Sequence, residues 1–163
     1  MSISGPLRQG VPNGSCADAP NDPFPRAICA TVAAGVTLVA AAGNEPIDIQ
    51  DIDPATYREV LAVTAIADLD GQPGGLQPPT GECSSGLNQI GPVVDDKAAF
   101  FSGFATLPDD QVHTVAAPGV CIASTYPGDS YLVGTGTSFA TPIVSGGGCA
   151  LHCNGALRRT DAS

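Results

Sequence analysis

Basic residues, aromatic residues and long apolar runs are all scarce in this sequence. Lysine and arginine together number 6 against 16 acidic residues, which gives a formal net charge of −10. Nucleic acids and anionic membranes attract basic surfaces, so this charge argues against both as partners. No apolar run, residues 36–42 among them, approaches the roughly 20 residues that span a bilayer. We therefore expect neither nucleic acid nor membrane among the partners.

Charged residues of either sign are also few. They make up 13% of the chain, while hydrophobic residues make up 43%, a balance typical of globular proteins. The 163 residues are enough for one domain with a hydrophobic core, and 20 glycines with 15 prolines indicate many turns. We predict a single domain, 1–163, in which the glycine- and proline-rich stretch 68–98 is a surface insertion.

The sequence also lacks the patterns that mark a zinc site or an exported N-terminus. The six cysteines include no paired CxxC motif, so zinc is not indicated. Their even number favours three disulfides formed in an oxidising compartment. Residues 1–5, however, contain neither the basic segment nor the apolar core of a signal peptide.

The first half of the chain alternates between helix and strand. A helix is predicted after Asp22 as the N-cap, with Pro23 as its first residue and Gly35 as its stop. Apolar strands are predicted at 36–42 and 60–66, and continuous apolar strands are typical of a parallel sheet covered on both faces. This alternation indicates a doubly wound α/β protein. The predicted apolar face of the helix comprises Phe24, Ile28, Thr31 and Val32.

The second half contains three short predicted strands, at 112–116, 121–125 and 131–133, and a helix at 137–152. The segment Gly136-Thr137-Ser138-Phe139-Ala140-Thr141-Pro142 brings a serine to the start of that helix. Backbone N–H groups and the positive end of the helix dipole favour negative charge that develops there. The segment is therefore suited to a nucleophilic serine, although a serine that only caps a buried helix has the same pattern.

These seven residues resemble the Gly-Thr-Ser-x-Ala-Thr-Pro signature around the nucleophile of the subtilisin-like serine proteases, the subtilases. Three further segments resemble that family in the expected order. Residues 41–44 are similar to the segment of the oxyanion-hole asparagine, and residues 115–119 to the turn before the nucleophile strand. Residues 1–5 are similar to the strand edge that lines the substrate pocket. The resemblance thus extends over residues 1–152.

The resemblance implies an acyl-enzyme mechanism of peptide hydrolysis. Ser138 would be the nucleophile, and the Asn44 amide with the Ser138 N–H would hold the oxyanion. The implied fold is three-layer α/β, a mostly parallel sheet with helices on both faces, truncated at the N-terminal side and at the C-terminus. The implied substrate-binding residues are Ser2, Ile3, Ser4, Gly5, Ala41, Ala42, Gly43, Gly136 and Thr137.

The resemblance implies no cofactor for the chemistry, but it allows a structural calcium ion. Ala55, Tyr57 and Val60 fall where family members can bind a cation through backbone carbonyls. Among the cysteines, we predict a Cys16–Cys29 disulfide, with Cys83–Cys121 and Cys149–Cys153 as further pairings. Bridge geometry is awkward for a C-x₃-C pair on one helical face, which counts against the last pairing.

Subtilases also need an aspartate and a histidine before the serine in the sequence. No aspartate here has the family setting, and neither His113 nor His152 has that of the catalytic histidine, so we predict that both histidines are surface residues. Met1 coincides with an internal methionine of the family strand. We therefore expect a partial chain of a secreted serine endopeptidase, with its signal peptide upstream of Met1.

Two alternatives stay open. The chain could be a non-catalytic, peptide-binding remnant, or one half of a split protease that needs a partner chain, the missing N-terminal half of the catalytic domain.

Two details of the last helix are also predicted. Pro142 falls in its first turn, and the run of glycines at 146–148 weakens or breaks the helix, because glycine costs about 1 kcal/mol relative to alanine.

Overall fold

The computed structural model describes residues 14–75, 78 and 92–153, with backbone alone for 151–153. Three helices and six strands fill these ranges, together with single turns of 3-10 helix at Cys16–Asp18 and Ile49–Asp51. The helices are α1 (Pro23–Ala33), α2 (Pro108–Gln111) and α3 (Thr137–Cys153). The strands are β1 (Leu38–Ala41), β2 (Val60–Ala67), β3 (Lys97–Ala98), β4 (Thr114–Pro118), β5 (Ile122–Tyr126) and β6 (Ser130–Gly134).

Strand β2 is the centre of the main sheet. It pairs in parallel with β1, where Leu38 lies opposite Val60, and with β4, where Thr114 lies opposite Ala62. The short β3 pairs antiparallel with the end of β2, on the same edge as β1. Strands β5 and β6 form a separate antiparallel hairpin that leads into α3.

Side chains of the main sheet point alternately to two covered faces. On one face, Val63 and Ala65 pack in a cluster with Ala140 and Val144 of α3. On the other face, Ala40 and Val60 pack with Ile28 of α1, and Ala42 and Ala62 with the chain around Ile49. Helices therefore cover both faces of a mostly parallel sheet, and the predicted three-layer α/β class is confirmed.

Helix α1 begins and ends as the sequence predicts. The Asp22 carboxylate accepts a hydrogen bond from the Phe24 N–H at 2.9 Å, Pro23 is the first helical residue, and Gly35 has φ 81° just beyond the end. Ile28 is buried, but Phe24 remains 37% exposed and meets the Tyr57 ring edge-on, with centroids 6.3 Å apart. The predicted apolar face is thus correct at Ile28, whereas the Phe24 ring is only partly covered.

The turn before α1 is joined to that helix by a disulfide and to the residue before β2 by a carboxylate. Cys16 and Cys29 are bonded, as predicted, and the pair closes a loop with a sequence separation of 13. Glu59 accepts hydrogen bonds from the Ser15 hydroxyl and the Cys16 N–H. Burial works to raise the pKa of Glu59, but these hydrogen bonds outweigh it and hold the pKa below its ordinary value of 4.5.

Helix α3 corrects two predictions. It begins at Thr137, so Pro142 lies in the second turn and leaves the Ser138 carbonyl without its helical N–H partner. The glycines at 146–148 do not break it, since the helix continues to Cys153. Burial of Ala140 and Thr141 against the sheet anchors the helix and offsets the cost of the glycines. No helix in the described part of the chain is both long and apolar enough to cross a membrane.

Candidate active site

Ser138 stands at the N-terminus of α3, beside the carboxyl end of the main sheet. The turn that leads to it is built on close backbone contacts. The Gly136 N–H donates to the Gly119 carbonyl at 2.8 Å, and the Gly119 N–H donates to the Ile66 carbonyl at 3.0 Å. A Cβ on Gly119 would lie 2.7 Å from the Ala65 Cβ, so only glycine fits here. The Ser138 side chain itself is exposed to solvent.

Asn44 follows β1 and reaches across to the same helix terminus. Its Oδ1 atom accepts two hydrogen bonds from Thr137, one from the backbone N–H at 2.8 Å and one from the hydroxyl at 2.9 Å. A backbone N–H can only donate, so these contacts fix which end of the amide faces Thr137. The Asn44 NH₂ group is consequently turned away from Thr137.

Two hydrogen-bond donors are left unused at this point. Among the described residues, neither the Ser138 N–H nor the Asn44 Nδ2 has a protein acceptor. A Cβ built on Gly136 would lie 3.2 Å from Asn44 Nδ2 and 3.4 Å from Ser138 Oγ. The missing side chain of Gly136 therefore opens a space between the hydroxyl and the amide. A carbonyl placed there could meet both the nucleophile and the two donors.

The segment 41–44 packs against Gly103, which with Ser102 forms a part of the chain that the sequence analysis did not single out. Ala42 is fully buried, and Gly43 accepts a hydrogen bond from the Gly103 N–H at 3.0 Å. A Cβ on Gly103 would stand only 2.0 Å from the Ala42 carbonyl oxygen. Ser102, also buried, accepts from the Ala65 N–H at 2.9 Å. The Ser-Gly pair was the available sequence signal, but nothing in its spacing linked it to the site.

Sequence comparison identifies the family. The sequence profile of the Subtilase family matches residues 2–153, which is most of the chain. The chain belongs to the subtilase family. The characteristic activity of that family is peptide hydrolysis by a serine nucleophile. Three of the four predicted subtilase segments, 41–44, 115–119 and 136–142, meet around Gly136, and the fourth, 1–5, lies outside the described residues.

Individual relatives agree with this assignment. The chain is 33% identical over 138 residues to subtilisin-like protease 7 of Trichophyton verrucosum, covering 85% of this chain and 26% of that protein. It is 33% identical over 112 residues to a thermophilic serine proteinase of Bacillus sp. strain AK1, covering 69% and 20%. This subtilase chain thus spans about a quarter of the curated relatives it matches.

Solved structures are similar in the same way. The patellamide maturation protease PatA matches with a TM-score of 0.61 and 27% identity, over 92% of this chain and 43% of that one. The self-cleaved protease domain of PatA matches with a TM-score of 0.56 and 30% identity, over 77% and 37%. More than half of each neighbour therefore has no counterpart in this subtilase chain.

The histidine whose side chain is described is not near Ser138. His113 is buried, with 8% exposure, so the prediction that it lies on the surface is wrong. Its Nδ1 atom lies 2.9 Å from the Val60 carbonyl oxygen, at the start of β2, whereas Asn44 and Ser138 lie beyond the ends of the parallel strands. His113 is thus at the opposite end of the sheet from the nucleophile. The side chain of His152 lies outside the described residues.

The remaining predicted site residues have different outcomes. The described residues do not include Ser2, Ile3, Ser4 and Gly5, so their role in lining the substrate pocket stays a prediction. Cys121 is disulfide-bonded, but Cys83 lies outside the described part, and so does the side chain of Cys153.

Two of the three predicted cation carbonyls, those of Tyr57 and Val60, already have a hydrogen-bond partner among the described residues. The His113 imidazole lies against the Val60 oxygen, and the Tyr57 carbonyl accepts from the Val60 N–H at 2.8 Å. Elsewhere in the described residues, carboxylate oxygens of Asp68, Asp95 and Asp96 lie within 4.8 Å of one another. Each of these carboxylates accepts at least one backbone N–H from the 69–75 loop, which accounts for the cluster without an ion.

Proposed function

We propose that this subtilase chain supplies the nucleophile and the oxyanion hole of a serine endopeptidase. The observation that carries the proposal is the double hydrogen bond from Thr137 to Asn44 Oδ1. It turns the Asn44 NH₂ group toward the space above Gly136, beside the exposed Ser138 hydroxyl. A peptide carbonyl in that space would be attacked by Ser138 Oγ, and its oxygen would become negative between Asn44 Nδ2 and the Ser138 N–H.

The position of Ser138 on α3 contributes to the same step. The helix dipole presents its positive end to the oxyanion, and the Ser138 N–H is one of the first-turn donors that lack a partner within the helix. The acyl-enzyme that forms would be an ester between Ser138 Oγ and the carbonyl carbon, with release of the amine half of the peptide. Water would then hydrolyse the ester and regenerate the free hydroxyl.

The general base comes from another part of the complete protein. Serine attack requires a base to accept the hydroxyl proton and an acid to protonate the leaving amine, roles that a histidine oriented by an aspartate performs in this family. The described histidine, His113, is at the opposite end of the sheet. We propose that the missing Asp and His lie on the segment that forms the other part of the catalytic domain.

The proposal predicts that the chain alone is inactive and that adding the missing part restores activity. The chain is produced alone and fused behind the N-terminal part of the catalytic domain of the Trichophyton relative. Hydrolysis of an internally quenched peptide is then measured in both. We expect hydrolysis only by the fusion, and none when Ser138→Ala is introduced.

Other results have clear meanings. Efficient hydrolysis by the lone chain would show that it holds its own base and would refute this assignment. If a cooperatively folding fusion binds peptide saturably but cleaves none, the chain is the non-catalytic, peptide-binding remnant. Activity after mixing two separate chains would identify a split protease.

Secretion is the remaining part of the proposal. The Cys16–Cys29 disulfide supports an oxidising compartment, since disulfides of this kind are rare in the cytosol. We propose an extracellular protease that acts on polypeptides. Detection of the protein in culture medium, with both cysteines resistant to alkylation until reduction, would test this location; recovery from the cytosol with alkylatable thiols would contradict it.

A further inference from the structure

A buried histidine–aspartate pair lies at the end of the sheet farthest from Ser138. Asp110, in α2, is 2% exposed, and His113, between α2 and β4, is 8% exposed. The catalytic site makes no use of either residue. Asp110 Oδ2 and His113 Nε2 are both buried without a hydrogen-bond partner among the described residues. Polar atoms left in this way are uncommon in folded proteins and call for an explanation.

The contacts of the imidazole show what it does there. Its Nδ1 atom lies 2.9 Å from the Val60 carbonyl oxygen, and because a carbonyl only accepts, Nδ1 carries the hydrogen. Its Nε2 atom faces Asp110 Oδ1 at 3.7 Å. The ring thus lies between a backbone carbonyl oxygen and a carboxylate. These two kinds of oxygen are also the ligands of hard cations such as calcium.

The surrounding backbone holds the pair in this arrangement. The His113 carbonyl accepts from the Ala62 N–H at 2.9 Å, which joins the residue to β2. The Thr114 hydroxyl donates to the Asp110 carbonyl at 2.7 Å, and the His113 N–H donates to it at 3.3 Å. The imidazole therefore has a fixed position between the two oxygens.

We propose that the His113 imidazole, backed by Asp110, takes the place of a metal cation at the Val60 carbonyl. The resemblance to subtilases allowed a cation at this carbonyl, but in this chain a side chain fills the position and supplies the donor that the oxygen needs. Asp48 and Asp109 add negative charge near Asp110, and the His113 ring is the hydrogen-bond donor present at the Val60 oxygen.

The proposal predicts that removing the ring opens a cation site. In His113→Ala, the Val60 oxygen and the Asp110 carboxylate would face an empty space of the size of an imidazole. Thermal unfolding of the full chain is measured in chelator and with calcium, sodium or potassium. We expect at least one of these cations to raise the Tm of His113→Ala by about 3 °C or more beyond its effect on the wild type. Acidic residues elsewhere are the same in both proteins, so the difference isolates this position.

Two variants provide matched controls. His113→Asn retains an N–H donor close to Val60 and should respond to cations as the wild type does. His113→Ala combined with Asp110→Asn lacks the negative charge beside the opened space and should lose the added response. Equal cation responses in the wild type and His113→Ala would overturn the proposal, as would an added response that survives loss of Asp110.

A measurement on the unaltered chain keeps the proposal testable if His113→Ala does not fold under any condition. The ¹³C resonance of the Val60 carbonyl is followed while calcium and sodium are added. We expect no saturable change, together with a hydrogen bond detected between His113 Nδ1 and this carbonyl. A saturable shift of the Val60 resonance would mean that a cation binds there beside the imidazole, and would refute the replacement.

Discussion

At the scale of single residues, the site depends on how Thr137 holds Asn44. Thr137 is 1% exposed, and its backbone and hydroxyl both donate to Asn44 Oδ1. The asparagine is exposed, so without these contacts its amide could rotate freely. Because the Asn44 amide is already oriented before substrate binds, no free energy is spent on reorienting it when negative charge develops on the carbonyl oxygen.

Asn44→Ala should lower kcat of the active fusion by about 10²–10³, with a smaller change in KM, because the lost donor acts mainly in the transition state. That range was measured in subtilisin, another member of the family, and is carried over from it. Steady-state hydrolysis of a peptide substrate measures both constants. Asn21→Ala, which replaces an exposed asparagine before α1, is the matched control. A change confined to KM would argue that Asn44 only binds substrate.

Gly136→Ala should greatly reduce the reaction of Ser138 with peptides and with fluorophosphonates. The added Cβ would enter the space beside Asn44 Nδ2 and Ser138 Oγ, where the carbonyl is expected to bind. We predict a fall of at least about tenfold in the labelling rate of the fusion, by analogy with the loss of an oxyanion donor. Gly147→Ala is the control, since its Cβ meets nothing within 4 Å. An unchanged rate in Gly136→Ala would place the carbonyl elsewhere.

At the scale of elements, α3 positions the nucleophile and also contains three consecutive glycines that lower the stability of the helix. The glycines at 146–148 lie in open surroundings, and their φ values need no left-handed conformation. Packing of the first half of the helix on the sheet is what maintains it.

Gly147→Ala should therefore stabilise the chain by up to about 1 kcal/mol, since alanine loses less backbone entropy than glycine in a helix. Urea unfolding of the chain and of the variant measures the difference. A loss of stability would mean that another part of the protein packs closely on this stretch.

The connection between the N-terminal turn and β2 should make stability depend on pH. Because the pKa of Glu59 is lower in the folded chain than 4.5, its hydrogen bonds contribute fully above that value and are lost as the pH falls through the folded pKa. Glu59→Gln should cost about 1–3 kcal/mol at pH 7 and progressively less as the pH falls through the folded pKa of Glu59. Unfolding of both proteins at pH 7 and at a series of lower pH values measures this. A cost that does not change with pH would contradict the assignment to the charged carboxylate.

The bounds of the helices were easier to predict from the sequence than the contacts between residues that are distant in it. Asp22, Pro23 and Gly35 are local signals, and they placed α1 correctly because capping depends on neighbouring residues. His113 was misplaced because its burial depends on Val60, which is distant in the sequence. The contact of Gly103 with the 41–44 segment was likewise invisible to local patterns.

At the scale of the whole molecule, the site was recognised through four ordered segments, not through any one of them. The serine motif alone would fit an ordinary helix cap, and Asn44 alone would fit a turn. In the fold, Asn44, after β1, accepts a hydrogen bond from Thr137 at the start of α3. The spacing of these residues in the sequence does not reveal that contact. The resemblance to subtilases supplied the order of the segments, and the structure shows that the three described ones, 41–44, 115–119 and 136–142, lie side by side.

We propose that Ser138 is the nucleophile of a catalytic domain whose base lies outside this chain. The most direct test treats the lone chain and the fusion with a fluorophosphonate and locates the adduct by peptide mass spectrometry. We predict a stoichiometric adduct on Ser138 in the fusion, and labelling of the lone chain that is slower by several orders of magnitude. A stoichiometric adduct on another residue of the fusion, or equally rapid labelling of Ser138 in the lone chain, would contradict the account.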